Sequence, residues 1–159
     1  MAAATPAVRV LERAQVPFEL RTYDPDEHAD GQGWGEAAVA ALGQDPAAVF
    51  KTLVARVDGA LTVAVVPVAG QLDLKALAAA VGGRKAVMAD PADAERSSGY
   101  VRGGISPLGQ RKALPTVVDD SVLQLAAVCV SGGRRGLQIE LAPADLVALT
   151  RARTAPIGR

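Results

Sequence analysis

Two β-prone segments joined by Asp58-Gly59 constrain the fold of this chain more than any other feature. The segments, residues 49–57 and 61–68, are rich in valine, alanine and leucine. An Asp-Gly pair between two such segments is a strong short-range signal for a β-hairpin, because glycine tolerates the positive φ angles of a tight turn. We therefore predict a pair of antiparallel strands, which argues against a simple alternation of parallel strands and helices.

Helix and strand signals extend over the rest of the chain. Capping residues and proline at helix starts, with glycine at helix ends, predict helices at 6–14, 35–42, 73–81, 90–96 and 143–151. Alternating or β-branched segments predict further strands at 18–23, 86–88, 116–118, 127–130 and 137–141. We interpret 24–33 and 99–115 as loops and the residues after 151 as a polar tail. The pattern predicts a single domain over residues 1–159 with an α+β fold, in which a mixed, largely antiparallel sheet packs with helices.

Composition limits the class of protein. Half of the residues are apolar and only 3% are aromatic, so an aliphatic core can form without a disulfide or a metal. No apolar segment is long enough to span a bilayer, and the N-terminus lacks a secretory signal pattern, so we expect a cytoplasmic protein. The formal net charge of zero is atypical of a general nucleic-acid binder, although residues 51–112 carry a positive excess that can guide a phosphate backbone.

Lys51 is the most informative single residue. Side chains alternate between the two faces of a strand, so Lys51 shares a face with residues 49, 53, 55 and 57 and is its only polar member. Such a lysine either extends its ammonium to water or holds it in a cleft against a carbonyl or phosphate. Periodicity alone leaves both alternatives open.

Two glycine-bearing segments are further candidates for a binding site. In 103–109, glycines let backbone N–H groups approach a ligand and stabilise an oxyanion, although a tight structural turn has the same composition. This segment lacks the Gly-Lys-Ser/Thr ending of a phosphate loop. The second segment, 131–136, is either an exposed hairpin turn or the rim of a pocket, with Arg134 and Arg135 near phosphates.

The chain offers few of the usual catalytic groups. Its only histidine is His28, in an acidic loop, and its only cysteine is Cys129, in an apparent core strand. We therefore expect neither a Ser-His-Asp nor a Cys-His triad, and no metal or cofactor. An enzyme with this sequence has to obtain its nucleophile from elsewhere.

Several segments, in order along the chain, resemble the YbaK family of Cys-tRNA(Pro) deacylases, relatives of the editing domain of bacterial prolyl-tRNA synthetases. They cover nearly the whole sequence: residues 5–7, 49–53, 67–73, 88–91, 99–100, 103–109, 114–116, 131–133 and 136–141. The resemblance implies a compact α+β fold of the YbaK and editing-domain type, with a cleft over the sheet.

The resemblance also implies a set of site residues. Activity in this family depends on a strand lysine that corresponds to Lys51. The family's glycine-x-x-x-proline loop, which places backbone donors near the aminoacyl carbonyl, corresponds to Gly103, Gly104, Ile105, Ser106 and Pro107. The other residues expected to contact the substrate are Tyr23, Phe50, Thr52 and Ser131. Many members carry aspartate where this chain has Gln138, so no role is transferred to Gln138.

The implied activity is trans-editing, in which cysteine is removed from mischarged Cys-tRNA(Pro) and also from Cys-tRNA(Cys). The mechanism proposed for the family uses the thiol of the substrate's own cysteine as the nucleophile, so that proximity replaces a protein nucleophile. The implied partners are the 3′ end of aminoacyl-tRNA and prolyl-tRNA synthetase, with no membrane and no DNA.

Two alternatives stay open. The substrate can be Ala-tRNA(Pro) or another small mischarged aminoacyl-tRNA, which requires an activated water because alanine has no thiol. Alternatively, the chain is a non-catalytic RNA or protein adaptor of the same fold.

Overall fold

A computed structural model describes residues 4–25 and 34–159 of the chain. Within these ranges the helices are α1 (Pro6–Ala14), α2 (Trp34–Leu42), α3 (Leu74–Ala80), α4 (Pro91–Ser98) and α5 (Pro143–Thr150), with a 3₁₀-helix at Asp120–Gln124. The strands are β1 (Phe18–Thr22), β2 (Phe50–Val57), β3 (Ala60–Pro67), β4 (Ala86–Met88), β5 (Thr116–Asp119), β6 (Val128–Ser131), β7 (Leu137–Leu141) and β8 (Arg153–Ala155). These elements confirm the predicted α+β fold. Most of the predicted loop at 24–33, including His28, lies outside the described residues.

The predicted hairpin lies at the centre of a five-stranded sheet. β2 and β3 pair antiparallel from Phe50 opposite Pro67 to Val57 opposite Ala60, and Gly59 in the turn has a φ of 86°. The strand order is β4-β2-β3-β5-β8. β4 joins antiparallel at one edge, whereas β5 and β8 follow in parallel at the other. The sheet is therefore mixed, as predicted.

A second sheet contains three antiparallel strands in the order β1-β7-β6. A parallel bridge between Val49 and Cys129 connects it to the start of the hairpin. Along β7, Leu137, Ile139 and Leu141 belong to the main core, and by strand alternation Gln138 and Glu140 point to the opposite face. That opposite face is where the polar residues of this sheet collect.

The two faces of the hairpin pack in different apolar clusters. Phe50, Val63 and Val65 lie in the main core. Val57 and Val66, on the other face, pack with Leu77 of α3, and full burial of one such leucine contributes roughly 2 kcal/mol. Both clusters are dominated by aliphatic side chains, as the scarcity of aromatic residues predicts. No helix within the described ranges has the length and apolar character needed to cross a bilayer.

The start of α1 is tied to a distant turn. The Thr5 hydroxyl accepts a hydrogen bond from the backbone N–H of Val8 at 3.2 Å, which caps the helix as predicted. The same hydroxyl donates to the carbonyl of Gly132 at 2.6 Å. The Ser-Gly-Gly turn that follows β6 is thereby fixed against the helix.

The prediction of a polar C-terminal tail is wrong. β8 pairs in parallel with β5, and Ile157 is fully buried. The Asp119 carboxylate accepts hydrogen bonds from the backbone N–H groups of Ile157 and Gly158 at 3.0 and 2.7 Å. A three-residue strand shows no usable periodicity, so its sequence could not reveal this pairing.

Candidate active site

A cavity of about 480 Å³ opens between the hairpin and the three-stranded sheet. Its wall also includes residues of α2 and of the loop at 99–115, and it is mainly apolar. The polar and charged residues that line it are Tyr23, Glu36, Lys51, Thr52, Arg102, Ser131 and Gln138. The volume lies within the range typical of small-molecule binding sites.

The cavity exists because one edge of β2 is only partly covered. β4 pairs only with Ala55–Val57 of that edge, and the backbone N–H of Ala89 then donates to the carbonyl of Val54 at 3.0 Å. Alternate residues of an antiparallel strand direct their backbone groups to the same neighbour. The N–H and C=O of Thr52 therefore point to the side where β4 does not extend.

Lys51 lies in this uncovered part of β2. It is half-buried and opposite Val66 of β3, and its neighbours on the same face, Leu53 and Ala55, pack in the cluster that includes α3. Lys51 is one of the residues that line the cavity. Among the described residues, no acidic side chain lies within ion-pair distance of Lys51. Its ammonium is therefore available to a ligand.

The predicted glycine loop divides into residues that face the cavity and residues that pack behind it. Gly103 and Ile105 line the cavity. Gly104, Ser106 and Pro107 are buried and are not part of its wall. A Cβ on Gly104 would lie 2.7 Å from the Cα of Arg134, so the close approach of the two loops requires glycine here.

The backbone N–H groups of this loop are not equivalent as donors. The N–H of Gly104 donates to the carbonyl of Val101 at 2.9 Å, and the N–H of Leu108 donates to the Ser106 hydroxyl at 3.2 Å. Within the described part of the chain, the N–H groups of Gly103 and Ile105 have no acceptor. The N–H groups of Ser106 and Gly109 also have no acceptor there, but Gly103 and Ile105 are the loop residues that line the cavity, so their N–H groups are the candidate donors to a bound carbonyl.

The turn after β6 forms the adjoining rim. Ser131 lines the cavity, and its hydroxyl accepts a 3.4 Å hydrogen bond from the backbone N–H of Gly133. The Arg135 guanidinium donates to the carbonyl of Arg102 at 2.7 Å and so joins the two loops. The cationic residues Arg102, Arg134 and Arg135 are exposed here.

Gln138 is a wall residue to which the sequence assigned no role. It lies in β7 opposite Arg21 and Ser131, with only 3% of its surface exposed. Its Oε1 and the Oγ1 of Thr52 are buried, and neither has a hydrogen-bond partner within the described residues. Strand alternation places Gln138 on the polar face of its sheet, but sequence alone does not reveal the unpaired atom.

Cys129 lies in a second, smaller cavity of about 340 Å³ that it shares with Arg21, Gln44 and Glu140. Burial raises the pKa of its thiol to about 11, and the adjacent Glu140 carboxylate adds to that rise. A thiol with this pKa is a poor nucleophile at neutral pH. No group of three potential metal ligands occurs among residues 4–25 and 34–159.

Comparison with known proteins gives one family match and one close relative. Residues 28–149 match the aminoacyl-tRNA editing domain family. The chain is 38% identical over 156 residues to EbsC from Enterococcus faecalis, a protein assigned as a Cys-tRNA(Pro)/Cys-tRNA(Cys) deacylase. The match covers 96% of this chain and 92% of EbsC.

Solved structures share the fold over nearly the full length. A protein described as a trans-editing enzyme for prolyl tRNA synthetase superposes with a TM-score of 0.82 at 24% identity, covering 99% of both chains. A scaffold protein used for computational epitope grafting superposes with a TM-score of 0.81 at 23% identity, again over 99% of both chains.

Proposed function

The chain belongs to the aminoacyl-tRNA editing domain family, and from this premise we propose that it removes cysteine from mischarged Cys-tRNA(Pro) and from Cys-tRNA(Cys). The observation that supports this proposal best is the grouping of donors at one cavity. Lys51, Gly103 and Ile105 all line this cavity, and the N–H groups of the two loop residues have no acceptor within the described part of the chain.

The nucleophile in this proposal is the substrate's own thiol. The thiol loses its proton, its sulfur attacks the ester carbonyl carbon, and a carbon–sulfur bond forms. The carbon–oxygen bond to the terminal ribose then breaks, and the ribose oxygen takes up a proton. The products are deacylated tRNA and a cyclic cysteine thiolactone, which water opens to free cysteine. Intramolecular attack of this kind gains its rate from proximity.

The protein groups act on the charge that develops during attack. The N–H groups of Gly103 and Ile105 hydrogen-bond the carbonyl oxygen as it becomes an oxyanion. The ammonium of Lys51 donates to the departing ribose oxygen and orients the ester. Because these donors are fixed by the sheet and by a packed loop, little reorganisation is needed during the reaction.

This mechanism explains selectivity without a tightly shaped pocket. Cavities discriminate poorly between amino acids that differ by a methylene or so. If only cysteine positions a thiol at the carbonyl, then reactivity provides the discrimination. A buried thiol with a pKa of about 11, such as Cys129, is unsuited to replace that nucleophile.

The proposal also covers where the protein acts and what it binds. We propose that the protein acts in the cytoplasm as one domain and binds the 3′ end of aminoacyl-tRNA without a cofactor. Because the formal net charge is zero, we expect weak binding of the tRNA body and recruitment through prolyl-tRNA synthetase.

The test is deacylation of Cys-tRNA(Pro), Ala-tRNA(Pro) and Ser-tRNA(Pro) by the wild type, by Lys51→Ala and by Lys75→Ala. Lys75 is an exposed lysine of α3 and is the matched control. We expect rapid loss of the cysteinyl ester alone, abolished by Lys51→Ala and unchanged by Lys75→Ala. Equal loss of all three esters would indicate an activated water and a broader editor. No loss of any ester, even with prolyl-tRNA synthetase present, would favour the non-catalytic adaptor.

A further inference from the structure

The glycine loop begins with a tight turn formed by residues 101–104. The N–H of Gly104 donates to the carbonyl of Val101 at 2.9 Å, which closes the turn. Its two central residues are Arg102, with a negative φ, and Gly103, with a φ of 84°. A negative φ followed by a φ of about 80° is the signature of a type II β-turn.

The direction of the Gly103 N–H depends on which type of turn forms. Type I and type II turns differ by a flip of roughly 180° of the peptide group between their central residues. Here that group consists of the C=O of Arg102 and the N–H of Gly103. Because the C=O and N–H of a trans peptide point in opposite directions, the orientation of this carbonyl also fixes the direction of the N–H.

The Arg135 guanidinium holds this carbonyl. Its Nε donates to the carbonyl oxygen of Arg102 at 2.7 Å, so the N–H of Gly103 points away from Arg135. Gly103 lines the cavity and Arg135 does not. A flip of the peptide to the type I orientation would turn the carbonyl away from Arg135 and break this hydrogen bond.

We propose that Arg135 is a positioning residue, which keeps the turn in its type II form and thereby holds the Gly103 N–H ready for the carbonyl oxygen of the ester. This inference rests on the proposed function, because Arg135 acts through one of the donors assigned there. The role differs from a contact with tRNA phosphate, since it depends on a hydrogen bond within the protein.

The surroundings of the turn leave its central peptide as the group whose orientation has to be selected. The Glu95 carboxylate accepts a hydrogen bond from the N–H of Arg102 at 2.9 Å and holds the peptide before it. A Cβ on Gly104 would lie 2.9 Å from the backbone nitrogen of Arg135, so the two loops are in close contact. Glycine at position 103 tolerates φ of either sign, so hydrogen bonds to this peptide decide between the two turn types.

The test uses substitutions that separate the hydrogen bond of Arg135 from its charge. In Arg135→Gln, the amide nitrogen lies as many bonds from Cα as the Nε of arginine, so a donor is kept and the charge is lost. Arg135→Met has a similar length and loses both. The matched control is Arg153→Met, because exposed Arg153 donates to the carbonyl of Ala80 at 2.8 Å and neither residue lines the cavity.

We expect Arg135→Met to lower the single-turnover rate at saturating Cys-tRNA(Pro) by about tenfold, because most molecules then lack one donor to the oxyanion. Arg135→Gln should stay within about threefold of the wild-type rate, and Arg153→Met should match the wild type. Both substitutions of Arg135 should raise KM by a similar factor, since both remove a charge that attracts tRNA phosphates. Rates that are equally low in Arg135→Gln and Arg135→Met, or unchanged in both, would overturn the proposal.

NMR of the free protein gives a second readout that needs no substrate. In a type II turn the Hα of Arg102 lies close to the N–H of Gly103, whereas in a type I turn the N–H groups of the two residues lie close together. We expect the first nuclear Overhauser effect in the wild type and Arg135→Gln, and the second in Arg135→Met.

The two measurements distinguish a failure of this inference from a failure of the proposed function. If the wild type cleaves no aminoacyl ester, the deacylase proposal fails separately, and the NMR pattern decides the role of Arg135 in the turn. Loss of the type II pattern in Arg135→Met alone would sustain that role. A type II pattern in all three proteins would refute it.

Discussion

The hydroxyl of Tyr100 donates a 2.6 Å hydrogen bond to the backbone carbonyl of Leu108, eight residues later. The bond closes the glycine loop, because Gly103 and Ile105 lie between its two ends. Burial raises the pKa of Tyr100 to about 12, so the hydroxyl keeps its proton over the whole range of a tRNA assay. The open N–H groups of the loop are thus positioned by a buried clamp.

Tyr100→Phe should loosen this clamp. Loss of the hydroxyl leaves the buried carbonyl of Leu108 without its donor, which should lower the free energy of unfolding by about 1–2 kcal/mol. We also expect a lower kcat for Cys-tRNA(Pro), since the loop donors act in the transition state. Urea unfolding and single-turnover deacylation check both effects, and a variant equal to wild type in both would refute the clamp.

Gly104→Ala should reduce activity more than a comparable change far from the cavity. Its added Cβ would meet the Cα and carbonyl carbon of Arg134 at 2.7 and 2.8 Å, so the loop has to move. Gly70→Ala is the control, because its Cβ would crowd the carbonyl oxygen of Arg159 at 2.9 Å, away from the cavity. Both variants should be less stable, but only Gly104→Ala should lose kcat/KM per folded molecule, by about tenfold or more.

Cys129→Ala should keep the deacylase activity within about twofold of wild type, because the thiol that attacks belongs to the substrate and Cys129 faces a different cavity. The raised pKa of Cys129, about 11, also predicts slow labelling by a thiol reagent at pH 8 until the protein is unfolded. Loss of activity in this variant, measured on folded protein, would mean that the protein supplies the nucleophile.

Arg134→Glu combined with Arg135→Glu should weaken tRNA binding in a salt-dependent manner. If each arginine contacts a phosphate, the plot of the logarithm of the tRNA association constant against the logarithm of salt concentration should become less steep, by about one unit of slope per arginine lost. The matched control is Arg84→Glu with Lys85→Glu, an exposed pair beside Asp58 at the hairpin turn. Identical salt titrations for the two double variants would contradict a role for the rim.

Asp119 should stabilise the fold in a pH-dependent way. Burial alone raises its pKa, but hydrogen bonds from Ser121, Gly158 and Ile157 outweigh burial, so the pKa lies below its ordinary value. The stabilisation is therefore fully present above the unfolded-state pKa of about 4, and it is lost as the pH falls through the lower folded-state pKa. Asp119→Asn should lower the free energy of unfolding by about 1–3 kcal/mol at pH 7.

The measurement is urea unfolding of both proteins from pH 7 down to pH 3. The difference in their free energies of unfolding should narrow below about pH 4, because the Asp119 carboxylate of the unfolded wild type takes up a proton there before that of the folded protein does. If the difference in free energy of unfolding between the two proteins stays constant from pH 7 to pH 3, then the negative charge of Asp119 does not stabilise the fold.

The candidate site was only partly predictable. Strand alternation singled out Lys51, and glycine content singled out the loop that faces the cavity. The direction of each loop residue was not predictable, since Gly104 packs on Arg134 while Gly103 faces the cavity. Gln138 was also missed as a residue of the cavity wall, because its place there depends on elements far apart in the chain.

The sequence by itself determined the hairpin, the capped helices and the aliphatic character of the core. These follow from local signals: turn residues, N-caps and side-chain periodicity act within a few residues. Only the tertiary structure decided that β4 stops short of Thr52, that the C-terminal residues form β8, and which atoms meet at the cavity. Parallel pairing such as that of Val117 with Arg153 depends on contacts across long loops, whose partners local patterns do not specify.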